Sequence, residues 1–348
     1  MQQYGPRTNG RRMKAVLCKS FGPPETLAFE DVPSKPLGAG QVRIAVHSAG
    51  VNFPDLQMVT GRYPYKPPLP FVPGTEVAGE VIEVAPNVRR PKVGDRVAAT
   101  LGTGGLAEEV AVGAHNCFVL PKQMDYTIAA GFLMSYVPAF YALVQRGALR
   151  AGEVLLVHGA SGGLGTAALD IGRNLGARLI ATGGSDEKLA KVSLAYGVEH
   201  LINYRTQPRW KDKVKELTLA QGADVVFDTV GGEILEDSLH CVAWDGRVVV
   251  VGFAAGEVPK LPANLVLNRN ASLVGAFWAA WVSREPDANR KNVETLFEWY
   301  EAGKLKPQVS HTFPLNRTKD AFHALQQRQV VGKCVVTTGR SMTAQGTK

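Results

Sequence analysis

No stretch of this 348-residue chain reaches the roughly 18 consecutive apolar residues that a membrane-spanning helix needs. One long apolar stretch, Gly246 to Ala255, fits a buried strand better. The first residues lack the apolar core of a secretory signal, so no membrane partner and a cytoplasmic location are expected. Cysteine is scarce: Cys18, Cys117, Cys241 and Cys334 lie far apart, and none belongs to a Cys-x-x-Cys pair. That spacing supports neither a disulfide framework nor a structural zinc site. Internal repeats and low-complexity segments are missing as well.

Charge of one sign is thin outside the N-terminus. The formal net charge is +8, but Arg7, Arg11, Arg12 and Lys14 supply half of it. All but Lys14 sit in a polar segment, residues 1–12, that is expected to be solvated and disordered. The remaining Lys and Arg are scattered among acids, with no basic face interleaved with aromatics, so no nucleic-acid partner is expected. A composition of 45% apolar and 20% charged residues is that of a soluble globular enzyme, with length for about two domains.

What the chain does have is concentrated between Val154 and Leu175. The apolar run Val154-Leu-Leu-Val157 leads into Ala160-x-Gly162-x-x-Gly165, where Ala160 replaces the first glycine of the usual dinucleotide fingerprint. A strand, a glycine-rich turn and a helix N-terminus together cradle a pyrophosphate, because unpaired N–H groups and the positive end of the helix dipole meet the negative charge. A second strand-like run, Arg178 to Thr182, follows after a helix-length interval, as a right-handed βαβ unit requires. The cradle residues are therefore Ala160, Ser161, Gly162, Gly163, Leu164 and Gly165. The same loop also reads Gly159-x-Ser161-x-Gly163, a hydrolase nucleophile elbow, with Asp228 and His311 or His323 as partners by chain order. Both histidines fall in the segment assigned to the other domain, and a small residue beside phosphate explains Ser161 equally well.

From Met13 to about Tyr126 short strands alternate with Gly and Pro, which predicts a small β-barrel-like domain. From about Pro138 helices and strands alternate through strands at Ala223–Thr229, Arg247–Phe253 and Ser272–Phe277, predicting six parallel strands in a Rossmann sheet. After Trp278 one helix, from about Asp287 to Ala302, and two strand-like pieces, Val309–Phe313 and Lys333–Thr337, are too few for a domain. They are expected to return to the first one. The expected division is residues 13–135 with 279–348 as the catalytic domain, and 136–278 as the dinucleotide-binding domain.

This order of domains resembles the medium-chain dehydrogenase/reductase superfamily. Val51-Asn-Phe-Pro-Asp-Leu-Gln-Met-Val-Thr-Gly-Arg-Tyr-Pro64, Pro73-Gly-Thr-Glu-Val-Ala-Gly79 and Val93-Gly-Asp-Arg-Val97 are similar to its zinc-independent quinone oxidoreductase (zeta-crystallin-like) branch. Phe313-Pro-Leu and Gly332-Lys-Cys-Val-Val336 resemble its C-terminal signature. The resemblance implies a GroES-like β-barrel catalytic domain beside the Rossmann domain. Zinc-dependent relatives carry Cys at the place of Asn52 and His at that of Thr75; Asn and Thr are not normal zinc ligands, so a metal-free enzyme is expected.

NAD enzymes place an acid at the end of the second Rossmann strand for the ribose 2′-OH. Here Thr182-Gly-Gly-Ser185 stands there, which leaves room for a 2′-phosphate and predicts NADPH. Gly184, Ser185, Lys188 and Tyr204 are the expected contacts, with Asp186 as the dissenting residue. Without zinc, the negative charge that hydride transfer builds on the substrate oxygen needs hydrogen-bond donors and a proton source. The candidates are Asn52, which by resemblance lies near the nicotinamide, Asp55, Tyr63 and Tyr136. Tyr63 sits in a setting similar to that of the proton-donating tyrosine proposed in enoyl-thioester reductases. Gly252 and Phe253 follow the fifth strand, where they would meet the nicotinamide, and Phe277 and Trp278 follow the sixth as an apolar wall. An exposed last strand invites edge pairing, so a homodimer is expected. The expected reaction is hydride transfer to a quinone or an α,β-unsaturated carbonyl. The alternatives are an enoyl-thioester or 2-alkenal reductase and a non-catalytic NADPH-binding protein.

Overall fold

The computed structural model describes residues 11–340. The expectation of a disordered tail therefore falls, for residues 1–10, outside the described residues. Arg11 and Arg12 correct it. Arg11 pairs with the buried Glu109 carboxylate at 2.5 Å, and Arg12 opens a strand, Arg12–Leu17, antiparallel to Ala28–Pro33.

The chain forms two compact units. Among the described residues, one takes Arg11–Leu133, His311–Gln329 and Lys333–Arg340; the other takes Met134–Ser310 with Val330–Gly332. This differs from the expected division, because residues 279–310 belong to the second unit. The reason is apolar burial. The helix Pro286–Glu301 buries Val293, Leu296 and Phe297, Trp299 meets Phe140 edge-on at 5.7 Å, and Gln145 Nε2 donates to Asn292 Oδ1 at 2.8 Å. A further helix, Trp278–Arg284, was not anticipated; its Trp281 stacks on Tyr141 at 4.4 Å.

In the first unit the strand Gln41–Val51 is central. It pairs antiparallel with Glu76–Val84, with Glu109–Gly113 and with Lys333–Thr337. The sheet continues through Arg96–Thr100 to Cys117–Val119. Val42, Ile44, Val46, Ala49 and Val51 are all buried on the central strand, so it carries the hydrophobic pattern of an interior strand. The returning C-terminal segment is part of this sheet, as expected. It also supplies an unanticipated helix, Thr318–Gln326, which buries Ala321 and Phe322.

The second unit holds six parallel strands in the order His200–Asn203, Arg178–Gly183, Val154–Val157, Ala223–Asp228, Val242–Val250, Ser272–Gly275. In chain order this is 3-2-1-4-5-6, the Rossmann arrangement, whose switch point lies between the first and fourth strands. Val154 to Val157 are buried throughout, because helices cover both faces. One buried carboxylate ties three segments together. Asp170, on the helix Gly163–Asn174, accepts from Tyr136 Oη at 2.9 Å, from Arg173 Nη2 at 2.8 Å and from the Lys306 backbone N–H at 2.6 Å. All four cysteines are buried thiols, and among the described residues no helix is long and apolar enough to cross a membrane.

Replacing Asp170 with Ala removes the acceptor shared by Tyr136 Oη, Arg173 and the Lys306 N–H, at a cost of roughly 3 kcal/mol. Urea unfolding of Asp170→Ala is expected to show that loss, while the exposed Glu187→Ala leaves the unfolding midpoint unchanged.

Candidate active site

The glycine loop follows the strand Val154–Val157 and runs straight into the helix Gly163–Asn174. Ala160 is fully buried, and its N–H donates to Thr182 O at 3.0 Å, tying the loop to the end of the neighbouring strand. Gly165 is the position that admits no side chain. A Cβ there would stand 2.3 Å from Gly159 O and 2.7 Å from Ala160 Cα, so the helix rests directly on the loop backbone. Gly162 caps the helix in an extended conformation, and the N–H groups of Gly163 and Leu164 are among those a helix start leaves without intrahelical partners. A pyrophosphate fits this cradle. Ser161 contributes its backbone: its carbonyl accepts from Gly332 N–H at 2.9 Å.

His158 braces the loop from beneath. Its Nδ1 meets Thr182 Oγ1 at 2.7 Å and its Nε2 meets Ser238 Oγ at 2.9 Å, and full burial drives its pKa down to about 3. The ring is neutral at any working pH and both nitrogens are committed, so it is no base for Ser161. His323, one of the histidines considered for a hydrolase, pairs with Glu25 at 3.1 Å. Asp228, the acid considered, caps its own turn by accepting from the N–H groups of Val230 and Gly231.

The strand Arg178–Gly183 delivers Gly184 and Ser185 to the start of the helix Asp186–Tyr196. Ser185 Oγ accepts from Lys188 N–H at 3.4 Å as the helix cap. Lys188 is half-buried, with Nζ 3.1 Å from Val330 O, and Tyr204 packs against the apolar core while its N–H donates to Gly183 O at 3.1 Å. Asp186 is exposed in the first helical turn, where a carboxylate complements the helix dipole. Sequence reasoning missed Arg205. Its guanidinium lies over Gly184, where a Cβ would come within 2.9 Å of Nε. The signal was a basic residue directly after Tyr204, at the end of the third strand.

In the first unit, five polar side chains form one buried cluster. Asn52 precedes the helix Phe53–Val59, and its backbone N–H donates to Asp55 Oδ2 at 2.8 Å, holding the helix start. The Asn52 amide donates from Nδ2 to Thr75 Oγ1 and to Glu76 Oε1, each at 3.2 Å. Lys333 Nζ donates to Asn52 Oδ1, and to Glu76 Oε1 at 2.5 Å. Both amide hydrogens of Asn52 are thus spent inside the protein. Asp55 is fully buried with Oδ1 unpartnered. Burial pushes its pKa up to about 7 against the opposing pull of the Asn52 N–H, the Thr75 hydroxyl and Lys333. Glu76 and Lys333 were quoted only within motifs. The signal that could have paired them is a charge inside an apolar strand run, Glu76-Val-Ala and Lys333-Cys-Val-Val, since a buried charge needs a partner.

Tyr63 is half-buried after that helix, its N–H donating to Gln57 O at 3.1 Å. Tyr136 corrects the expectation of a fourth catalytic group. It lies in the second unit, is 3% exposed and gives its hydroxyl to Asp170; burial, then the Asp170 charge, raises its pKa well above the usual phenol value. Gly252 and Phe253 follow the fifth strand, with Phe253 38% exposed. Phe277 is 73% exposed, whereas Trp278 is half-buried and donates from Nε1 to Asn289 Oδ1 at 3.0 Å.

Residues 38–122 match the alcohol dehydrogenase GroES-like domain, and residues 163–298 match the zinc-binding dehydrogenase family. A quinone oxidoreductase-like protein 2 homolog from Nematostella vectensis is 40% identical over 342 residues, which cover 97% of this chain and 92% of that protein. The chain belongs to the medium-chain dehydrogenase/reductase superfamily, in its quinone oxidoreductase branch. Among solved structures, a probable oxidoreductase from Mycobacterium abscessus is 35% identical with a TM-score of 0.86, over 94% of this chain and 100% of that one. A mycobacterial structure complexed with NADPH is 28% identical with a TM-score of 0.85, over 93% of this chain and 99% of that one. Within this superfamily the first unit is the GroES-like domain and the second the Rossmann domain. Among the described residues, no group of three or more His, Cys, Asp and Glu is arranged to hold a metal ion.

The raised pKa of Asp55 makes stability depend on pH. Below about pH 4 the folded and unfolded chains both carry the proton; between about 4 and 7 the unfolded chain releases it while the fold retains it, so stability falls as pH rises. Asp55→Asn keeps an acceptor for the Asn52 N–H and removes the titration. Its Tm relative to the parent is expected to climb between pH 4 and 7 and level off above; parallel Tm curves would contradict a raised Asp55.

Proposed function

We propose that this protein is a metal-free, NADPH-dependent oxidoreductase whose acceptor is a quinone. The observation that carries the cofactor is the turn at the end of the second Rossmann strand, where Gly183, Gly184 and Ser185 stand in place of the expected acid and Lys188 and Arg205 bring two positive charges. A guanidinium and an ammonium beside glycines suit a 2′-phosphate, whereas a ribose hydroxyl would want a carboxylate. NADPH supplies the hydride when bound. The chain's part is to hold the pyrophosphate at the N–H groups of Gly163 and Leu164 and the adenosine phosphate at Lys188 and Arg205.

The metal-free reading rests on the donor set. Asn52 and Thr75 are poor zinc ligands, and the Lys333 ammonium already neutralises Glu76 and occupies Asn52 Oδ1. A second cation there would meet electrostatic repulsion. Quinone reduction places few demands on such a chain, because the hydroquinone anion takes its proton from water. For an enal the proton would come from the Tyr63 phenol, the remaining tyrosine of the four candidates.

We also propose a homodimer built on the edge strand Ser272–Gly275. This strand pairs with a neighbour on one side in the sheet order, and large apolar residues in and next to it in sequence are exposed: Leu273 is 42%, Leu267 78% and Phe277 73% exposed. The flanking helices Ala263–Asn268 and Trp278–Arg284 bury no residue. Unpaired backbone beside apolar surface is what a second copy of the chain would cover.

Steady-state oxidation of NADPH and NADH with 9,10-phenanthrenequinone, a 2-alkenal and crotonyl-CoA, in excess EDTA, tests the reaction. Turnover is expected with the quinone, and NADPH should be preferred at least tenfold in kcat/KM. Lys188→Ala/Arg205→Ala should erase that preference by weakening NADPH alone; loss of turnover in EDTA, or an NADH preference in the parent, would overturn the reading. Light scattering of the eluting protein should give a two-chain particle, and Leu273→Arg should reduce it to one chain; a monomeric parent would remove the edge-strand dimer.

A further inference from the structure

The cluster around Lys333 is built with more care than an ion pair needs. The side chain is 6% exposed, Glu76 1% and Asn52 8%. Two glycines make the space. Gly50 faces Glu76 across the strand pair, and a Cβ there would stand 2.3 Å from Glu76 Oε1. A Cβ on Gly131 would stand 3.1 Å from both Cβ and Cγ of Lys333. Cys334 pairs with Val51, so the strand Lys333–Thr337 enters the sheet with Lys333 beside Asn52.

An amide has two ends of similar size and opposite hydrogen-bonding character, so its orientation is set by its partners. Around Asn52 those partners are Thr75 and Glu76 at Nδ2 and the Lys333 ammonium at Oδ1. Glu76 only accepts, and an ammonium only donates. With both in place a single orientation satisfies every group; the flipped amide would set N–H against N–H at Lys333 and oxygen against oxygen at Glu76. Through Thr75 the same bonds continue to Asp55, which fixes the start of the helix Phe53–Val59.

We propose that Lys333 is a positioning residue for the reaction: with Glu76 it locks the Asn52 amide in one orientation and supplies the fixed positive charge of this cluster from within the chain. The inference rests on the NADPH-dependent reading above. It assigns to a residue of the last strand a task in catalysis that a structural ion pair would not have.

The test separates orientation from charge balance. Lys333→Met removes the cation beside the buried Glu76 carboxylate, so that variant is expected to be unstable and serves as a reference. Lys333→Met/Glu76→Gln removes both charges and should return the Tm to within a few degrees of the parent. In this double variant the affinity for NADPH, followed by protein fluorescence quenching, should change less than threefold while kcat falls at least tenfold. Recovery of both Tm and kcat would mean that Lys333 only balances Glu76, and would overturn the proposal. A second readout needs no turnover. The side-chain amide pair of Asn52 in a 15N correlation spectrum, assigned by its loss in Asn52→Ala, should be one dispersed pair in the parent and should double or average in the double variant. An unchanged pair would refute the lock, whereas a parent without turnover on any acceptor would instead refute the functional reading and leave this spectrum to decide the lock.

Discussion

The Lys333 ammonium, shared between Glu76 and Asn52, is the contact on which the first unit's polar interior depends. It joins residue 333 to residues 52 and 76, so the cluster is complete only when the last strand has added itself to a sheet begun almost 300 positions earlier. A buried carboxylate alone would be intolerable and would take up a proton. Paired, it becomes a fixed acceptor around which Asn52 and Thr75 are arranged. Asp55, farther from the ammonium and fully buried, retains its proton to about pH 7 instead. The two acids of the cluster thus differ in partner: Glu76 has a cation beside it, and Asp55 has mainly a backbone N–H.

The second unit solves a different problem by removing side chains. Binding a pyrophosphate needs backbone N–H groups in the open and a helix close behind them, and Gly165 achieves this because nothing larger fits against Gly159 and Ala160. Charge enters only at the edge, through Lys188 and Arg205. Beneath the loop His158 is held neutral by burial and works as a rigid hydrogen-bonding strut between two strand ends and a helix. In the proposed reading the cofactor's backbone would pass neutral groups and its extra phosphate would end at these two cations.

Much of this was legible in local sequence. The glycine spacing after Val154–Val157, the alternation of strands and helices, and the missing acid after Thr182 each depend on residues within about 30 positions of one another, where periodicity and turn chemistry are informative. Two expectations and one omission share a reason. Tyr136 looked like a proton donor until Asp170, 34 residues later, took its hydroxyl. Residues 279–310 were expected to return to the first domain, but Trp281, Asn292 and Trp299 meet Tyr141, Gln145 and Phe140 of the second unit. Arg205 went unnoticed because its importance lies in standing over Gly184, on the next strand.

The sequence by itself determined the order of elements, the Rossmann sheet, the cradle and the absence of ordinary zinc ligands at Asn52 and Thr75. These follow from short-range pattern and from the chemistry of single residue types. Only the tertiary structure decided which buried charges are paired, which hydroxyls are spent and how the Asn52 amide is turned. Those are properties of distance in a low-dielectric interior, and residues 52, 76 and 333 become neighbours only when the sheet brings their strands together.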